Sequence, residues 1–100
     1  MGAAPTLRPD ATYLVTGGFG GLGLIVARWL AERGARHLAL LGRRPNMDSD
    51  AIRAIEGLGA RVTPLAGDVA DEAAMAAVAE RLRELPPLRG VLHALSLIHI

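Results

Sequence analysis

The fold of this chain is decided by one glycine-rich stretch, Thr16-Gly17-Gly18-Phe19-Gly20-Gly21-Leu22-Gly23. It follows a short apolar run, Tyr13 to Val15, and it precedes an amphipathic run from Leu24 to Glu32. The order is therefore strand, turn and helix, and a helix N-terminus offers free backbone N–H groups and a partial positive charge. Because glycines let such a backbone approach a diphosphate closely, the stretch predicts a nucleotide-binding turn. A flexible loop or hairpin turn would fit the glycines alone, but not the elements on both sides.

Two glycine spacings fit this turn. The spacing Gly18-x-Gly20-x-x-Gly23 matches the dinucleotide fingerprint, in which the first glycine makes the turn, the second admits the phosphate and the third lets the helix pack on the strand. The spacing Gly17-x-x-x-Gly21-x-Gly23 matches the variant found in short-chain dehydrogenases.

Composition excludes several classes of protein. The chain has 100 residues, of which 51% are hydrophobic and 21% charged, so it is long enough for one small domain with a core. Its net charge of +1 provides no basic field for nucleic acid or an anionic membrane. It has no cysteine, no apolar run long enough to span a membrane and no signal-peptide core, so we expect a cytoplasmic protein. All 11 basic residues are arginine.

Strand and helix patterns alternate along the chain. The predicted strands are Thr12–Val15, His37–Leu41, Arg61–Leu65 and Gly90–Ala94. The predicted helices are Gly21 or Leu22 to Arg33, Ser49 or Asp50 to Leu58, and Glu72 to Leu85. The first helix is expected to bury a broad apolar face, made of Leu24, Ile25, Ala27, Trp29 and Leu30.

This β-α-β-α-β-α-β alternation predicts an α/β fold with right-handed crossovers and a doubly wound parallel sheet. The expected strand order is 3-2-1-4, the N-terminal half of a Rossmann domain. We place this half-domain at residues 11–94, after a linker at residues 1–10.

The end of the second strand indicates which dinucleotide would bind. The residue that reads the ribose 2′ position is expected about 20 residues after the glycine turn, and the chain has Gly42-Arg43-Arg44 there, with no acid. A carboxylate would accept a bond from the 2′-hydroxyl of NAD, whereas the planar fork of an arginine suits a 2′-phosphate. The sequence therefore favours NADP(H), with Arg43 as the main contact. Arg44 would stack on the adenine or face water, and a solvated pair of loop charges is the alternative for both arginines.

Three further residues near strand ends have open interpretations. Asp68 would accept a hydrogen bond from the adenine amino group or would form a turn or helix cap. His93 ends the fourth strand and, with no second ligand at metal spacing, is expected to be packed or bonded to backbone rather than a metal ligand. Tyr13, the single tyrosine, is expected to be part of the core rather than an acid catalyst.

Residues from about Asp10 to Ala94 closely resemble the ketoreductase domain of modular polyketide synthases, within the short-chain dehydrogenase/reductase superfamily. Four blocks carry the resemblance in family order: Ala11 to Gly23, Leu40 to Arg44, Ala66 to Asp71, and Gly90 to Ala94. Ketoreductases of fatty acid synthases share the pattern. The resemblance implies NADPH-dependent reduction of a β-ketoacyl thioester carried on an acyl carrier protein, beside neighbouring synthase domains.

The resemblance also implies roles for single residues. Gly17, Gly20, Gly21 and Gly23 would cradle the diphosphate, and Arg43 would hold the 2′-phosphate. Asp68 and Val69 would flank the adenine, while Ala94 would lie near the nicotinamide ribose. The predicted cofactor-binding set is Thr16, Gly17, Gly18, Phe19, Gly20, Gly21, Leu22, Gly23, Gly42, Arg43, Arg44, Asp68, Val69, His93 and Ala94.

The chain departs from the family pattern after Ala94. The family continues with alanine and glycine, and its catalytic serine, tyrosine, asparagine and lysine follow later, whereas this chain ends in Leu95-Ser96-Leu97-Ile98-His99-Ile100 and has no lysine. We therefore expect no catalytic residue and no turnover from this chain alone. The six residues match the translation of a transposase adapter used in sequencing libraries, so we interpret them as an artefact. A divergent extension of the fourth strand is the alternative.

Other functions fit the same residues. The chain could be a non-catalytic nucleotide-binding or scaffolding half-domain, or part of a free-standing NADP-dependent short-chain reductase. In each case the fourth strand would lie at an apolar sheet edge, so we expect self-association when the chain is produced alone.

Overall fold

Residues 7–94 are described by the computed structural model, and they form four strands that alternate with three helices. The elements are β1 (Thr12–Thr16), α1 (Gly21–Glu32), β2 (His37–Gly42), α2 (Asp50–Gly57), β3 (Arg61–Ala66), α3 (Glu72–Leu82) and β4 (Leu88–His93). The interpretation of residues 95–100 as an adapter artefact, and most of the linker prediction, lie outside this part of the chain. No helix within residues 7–94 is long and apolar enough to cross a membrane.

The four strands form one parallel sheet in the order β3-β2-β1-β4, as predicted. Thr12 pairs with His37 on β2, and Thr16 pairs with both Leu41 on β2 and His93 on β4. The carboxyl ends of β1, β2 and β4 therefore lie side by side. This is the edge at which open α/β sheets bind their ligands.

Helices cover both faces of the sheet. On one face, Ala27, Leu30 and Ala31 of α1 and Ile52 and Ile55 of α2 pack against Tyr13, Val15, Leu38 and Leu40. On the other face, Val78 of α3 packs against Leu14, Ala39, Leu41 and Leu65. Because successive strand residues face opposite sides, β2 is buried almost throughout, as expected of a parallel strand.

The predicted buried face of α1 is partly wrong. Ile25 and Trp29 are 67% and 43% exposed, whereas α1 meets the sheet through Gly23, Ala27, Leu30 and Ala31. Helix α1 is apolar on more than one side, and its small residues allow the closest approach to the sheet. The Trp29 ring lies on the outer side, with the Arg33 guanidinium 5.3 Å from its centre.

Most element boundaries agree with the sequence within one residue, except around the two prolines that follow α3. Helix α3 ends at Leu82 rather than Leu85, because the chain continues in tighter turns, with N–H groups of Glu84 and Leu85 bonded three residues back. The following Pro86 disfavours helix in the residue before it. Strand β4 begins at Leu88 rather than Gly90, directly after Pro87, whose carbonyl accepts a bond from the Thr12 N–H.

Candidate functional site

A cleft of about 210 Å³ opens at the carboxyl edge of the sheet. Its lining includes the predicted residues Thr16, Gly17, Gly42, Arg43, Asp68, Val69 and Ala94. Leu41 and Gly67 also line it, although the predicted cofactor-binding set contains neither. Two signals point to them: each lies where a strand ends, Leu41 in β2 and Gly67 just after β3, and each belongs to a block that carries the family resemblance. Four separate segments of the chain thus converge on one crevice.

The glycines of the turn are of two kinds: at three positions an added Cβ would collide with the protein, and at two it would not. Gly17 has φ +67°, and a Cβ at that position would lie 2.8 Å from the carbonyl oxygen of Ala94. A Cβ on Gly18 would lie 2.8 Å from Cβ of Leu40, and a Cβ on Gly23 would collide with the carbonyl oxygen of Gly17. Packing within the protein therefore requires glycine at these three positions.

Gly20 and Gly21 belong to the second kind. A Cβ on Gly20 would meet only the Gly17 oxygen, at an ordinary 3.5 Å, and a Cβ on Gly21 would meet nothing within 4 Å. Neither glycine is needed for packing, and both lie where α1 begins, facing open space. Both glycine spacings combine a packed first position, an open second position and the close contact at Gly23. Only the positive φ at Gly17 distinguishes them, and it gives Gly17 a conformational requirement that Gly18 lacks.

The N-terminus of α1 differs from those of the other two helices. Its N-cap residue, Gly20, makes no side-chain cap bond, and its first turn has no acidic residue. Helices α2 and α3 are capped by Ser49 and Asp71, and each has an acidic residue in its first turn. The first intrahelical bond of α1 runs from the Leu24 N–H to the Gly20 carbonyl, and the Gly20 N–H is bonded to the Gly17 carbonyl, so the donors available to an anion are those of residues 21–23.

Phe19 and Leu22 shape the turn and are half-buried. Phe19 packs against the core, and a Cβ on Gly42 would lie 3.1 Å from its ring. Gly42 thus leaves room for the aromatic ring between the turn and the end of β2. The Gly18 N–H also donates to the Leu41 carbonyl at 3.0 Å, which ties the turn to the same strand.

Arg43 and Asp68 form an ion pair across the cleft. The Arg43 Nη2 atom lies 3.0 Å from Asp68 Oδ2 and joins the loop after β2 to the loop after β3. The other carboxylate oxygen of Asp68 accepts a bond from the Ala70 N–H at 3.0 Å. Asp68 thus makes the turn that was one of its two predicted roles. Arg44 is exposed, which fits both of its interpretations.

His93 contacts the side chain of Thr16. Its Nδ1 atom lies 2.8 Å from Thr16 Oγ1, which also lies 3.5 Å from the Leu92 carbonyl. The prediction of a packed or backbone-bonded histidine is therefore wrong, because the ring of His93 is exposed and its partner is a hydroxyl. The Ala94 N–H donates to the Thr16 carbonyl at 3.0 Å and holds the end of β4 beside the glycine turn.

Tyr13 lies away from this cleft, in the core. Tyr13 is 7% exposed, and its hydroxyl accepts a bond from the Arg8 N–H at 2.9 Å. The prediction that it is part of the core is confirmed. Within residues 7–94 there is no cluster of three side chains suited to bind a metal ion.

Comparisons with known proteins agree with this geometry. The family model described as "KR domain" matches residues 11–99. A highly reducing polyketide synthase of Didymella fabae is 45% identical over 92 residues, which cover 88% of this chain and 5% of that protein. A phenolphthiocerol/phthiocerol polyketide synthase of Mycobacterium tuberculosis is 45% identical over 105 residues, which cover 87% of this chain and 6% of that protein.

Solved structures resemble the chain over nearly its whole length. An N-terminal ketoreductase from the macrolactin assembly line has a TM-score of 0.80 at 31% identity, covering 97% of this chain and 21% of its own. An A-type ketoreductase from a modular polyketide synthase has a TM-score of 0.70 at 45% identity, covering 92% of this chain and 22% of its own. The chain thus spans about a fifth of these structures, with the Rossmann-like fold that implies a nicotinamide dinucleotide. It belongs to the KR family, the ketoreductase domains of polyketide synthases.

Proposed function

We propose that the chain forms the cofactor-binding half of an NADPH-dependent reductase of β-ketoacyl thioesters. One observation carries the proposal. The glycine-rich N-terminus of α1, which no side chain caps, and Arg43 at the end of β2 border the same edge of a parallel sheet. An anion site and an arginine at this spacing suit the diphosphate and the 2′-phosphate of NADP(H).

The diphosphate would lie against the first turn of α1. Gly20 and Gly21 would admit a side chain without a close contact, and no side chain caps the N–H groups of that turn. Gly17, Gly18 and Gly23 support this arrangement by keeping turn, strand and helix close together. Phe19 and Leu22 would contribute indirectly, by holding the turn in the shape that receives the diphosphate.

The adenosine would lie over the ends of β2 and β3. Arg43 follows β2 directly, where a dinucleotide fold reads the ribose 2′ position, and no acidic residue precedes it in that strand. Asp68 and Val69 would border the adenine, with Arg44 beside it. Thr16, His93 and Ala94 lie at the end of β1 and β4, on the side where the nicotinamide ribose would extend.

The bound dinucleotide would supply the hydride, and the residues of this chain would bind and orient it. The proton for the reduced carbonyl needs a separate acid, and within residues 7–94 the tyrosine is buried at Tyr13, away from the cleft. We therefore propose that a following segment supplies the catalytic groups and that this chain alone does not reduce the substrate.

The substrate in the parent protein would be a β-ketoacyl thioester on an acyl carrier protein, with neighbouring synthase domains as further partners. We propose a cytoplasmic setting, with neither nucleic acid nor membrane as a partner. Residues 95–100 would not belong to the natural protein. The alternatives are a fatty acid synthase, a free-standing NADP-dependent reductase and a non-catalytic half-domain. Flanking carrier or acyltransferase sequence in the gene would exclude the free-standing reductase, and a catalytic half encoded in the same gene would exclude the non-catalytic half-domain.

Replacing Arg43 tests the choice of cofactor. Arg43→Asp should weaken NADPH binding by about ten- to a hundredfold, since a hydrogen bond to a charged group contributes about 1.5–3 kcal/mol. NADH binding should change little. Arg61→Asp, at the amino end of β3 and so at the other end of the strands, makes the same change in net charge. It should leave the affinities for NADPH and NADH unchanged. Equal losses for NADPH and NADH in Arg43→Asp would show that Arg43 does not read the 2′-phosphate.

A further inference from the structure

The ion pair between Arg43 and Asp68 has one fixed and one free partner. Asp68 is held by the bond from the Ala70 N–H to its Oδ1 atom, and its side chain is 38% exposed. Arg43 is 78% exposed and reaches across from the loop after β2. The carboxylate is therefore anchored in its own turn, while the guanidinium can move away from it.

NADPH bound as proposed would draw the two residues toward different parts of the nucleotide. The 2′-oxygen of adenosine and the amino group of its adenine lie at opposite ends of the nucleoside. An Arg43 guanidinium on the 2′-phosphate would move away from Asp68, whose proposed place is beside the adenine and which lines the same cleft. Carboxylate and phosphate oxygens are both partners of a guanidinium, so a 2′-phosphate would compete with Asp68 for the Nη2 atom that the carboxylate contacts.

We propose that Asp68 is an internal competitor that lowers the preference of the site for a 2′-phosphate. It occupies Arg43 in the free protein, and its negative charge opposes the incoming dianion. This inference rests on the proposed function, because it takes Arg43 as the 2′-phosphate contact. A ligand without that phosphate need not break the pair, so the competition affects one class of dinucleotide and not the other.

Two adenosine ligands separate this effect from general binding. The full chain is titrated calorimetrically with 5′-AMP and with adenosine 2′,5′-bisphosphate, and the ratio of the two dissociation constants measures the preference for a 2′-phosphate. Any contact of Asp68 with adenine is common to both ligands and largely cancels in the ratio. In Asp68→Asn the amide oxygen can still accept from the Ala70 N–H, but the charge is gone. The preference for the bisphosphate should rise about two- to fivefold, the scale of an exposed ion pair.

Asp71→Asn is the matched control. It removes the same charge three residues further along, and its side chain caps α3 rather than pairing with Arg43. Its ratio should equal that of the wild type. Asp68→Ser also keeps a turn-forming side chain and should raise the ratio as Asp68→Asn does, so the test does not depend on one variant folding.

The outcomes distinguish this inference from the proposed function. If Asp68→Asn and Asp68→Ser leave the ratio unchanged, the pair does not compete with the phosphate, and if they lower it, Asp68 instead positions Arg43. Either result overturns the inference. If Arg43→Ala retains the wild-type ratio, or if the wild type binds neither ligand, the proposed function itself is wrong.

Discussion

Substituting two glycines of the same turn should have opposite consequences. A Cβ on Gly23 would lie 2.7 Å from Cα of Gly18 and 2.8 Å from the carbonyl carbon of Gly17, and closer still to the Gly17 oxygen. These are backbone atoms, so no rotamer change can relieve the contact. Overpacking costs about 1–3 kcal/mol, and the upper end applies here because α1 itself must shift. Gly23→Ala should therefore lower Tm by roughly 12–24 °C, at about 4–8 °C per kcal/mol for a domain of this size.

Gly21→Ala is the matched variant, with the same added methyl group two residues earlier. Its Cβ would meet nothing within 4 Å, so Tm should stay within a few degrees of the wild type. The methyl group would instead occupy the space proposed for the diphosphate, so the affinity for NADPH should fall. Thermal unfolding followed by circular dichroism measures the first effect and calorimetric titration the second. An unchanged Tm in Gly23→Ala, or a large fall of Tm in Gly21→Ala, would refute the steric reasoning.

Three further substitutions test the core and a sheet edge. Thr12 Oγ1 is buried with no hydrogen-bond partner in residues 7–94, so Thr12→Val should raise the free energy of unfolding by about 1 kcal/mol in denaturant titrations; a loss would indicate a missed partner. Ile55 lies on the buried side of α2 and is 0% exposed, and Ile55→Ala should cost about 2–5 kcal/mol in the same titrations, whereas a cost below 1 kcal/mol would contradict its burial. Pro64 lies mid-way along the edge strand β3, so Pro64→Val should increase self-association in sedimentation experiments, and an unchanged sedimentation profile would count against the edge argument.

The Pro64 prediction follows from the bonding of β3. The N–H groups of Arg61 and Gly67 donate to carbonyls of the β2 side, Arg36 and Gly42. Along a parallel strand alternate residues face the same neighbour, so the N–H positions of the even-numbered residues between them face away from β2. Pro64 has no N–H and interrupts that outward row of donors. Valine would restore the missing donor and make the edge continuous.

The strand order and connections were predictable from the sequence because they do not depend on where each strand or helix begins or ends. Four short apolar runs separated by helix-length segments give a right-handed parallel sheet whether a strand starts at Leu88 or at Gly90. The buried face of α1 was less predictable. Its apolar residues lie on several sides, and the side that packs is the one with small residues such as Ala27 and Ala31. Hydrophobicity alone also selects Ile25 and Trp29, so the predicted face contains the buried Ala27 and Leu30 but extends too far around the helix.

The site was predictable only as far as chain position determines it. Arg43 and Asp68 were selected because each follows a strand, and parallel strands bring their carboxyl ends to one edge. Their pairing could not be read from the sequence, since it depends on side-chain directions of residues 25 positions apart. The sequence also does not decide between the two glycine spacings. Both contain Gly23, and they differ only in which atoms the folded backbone brings close to the other glycines.

The distinction between the two kinds of glycine has a consequence for sequence motifs. Gly17, Gly18 and Gly23 are required by atoms of the protein itself, so they are needed for this turn whether or not a ligand binds. Gly20 and Gly21 have no such requirement, and only a ligand at the α1 N-terminus would exclude a side chain there. A glycine motif of this type therefore combines a folding signal with a binding signal. A related chain that kept the first three and replaced Gly21 by a larger residue should retain the turn and lose the diphosphate site.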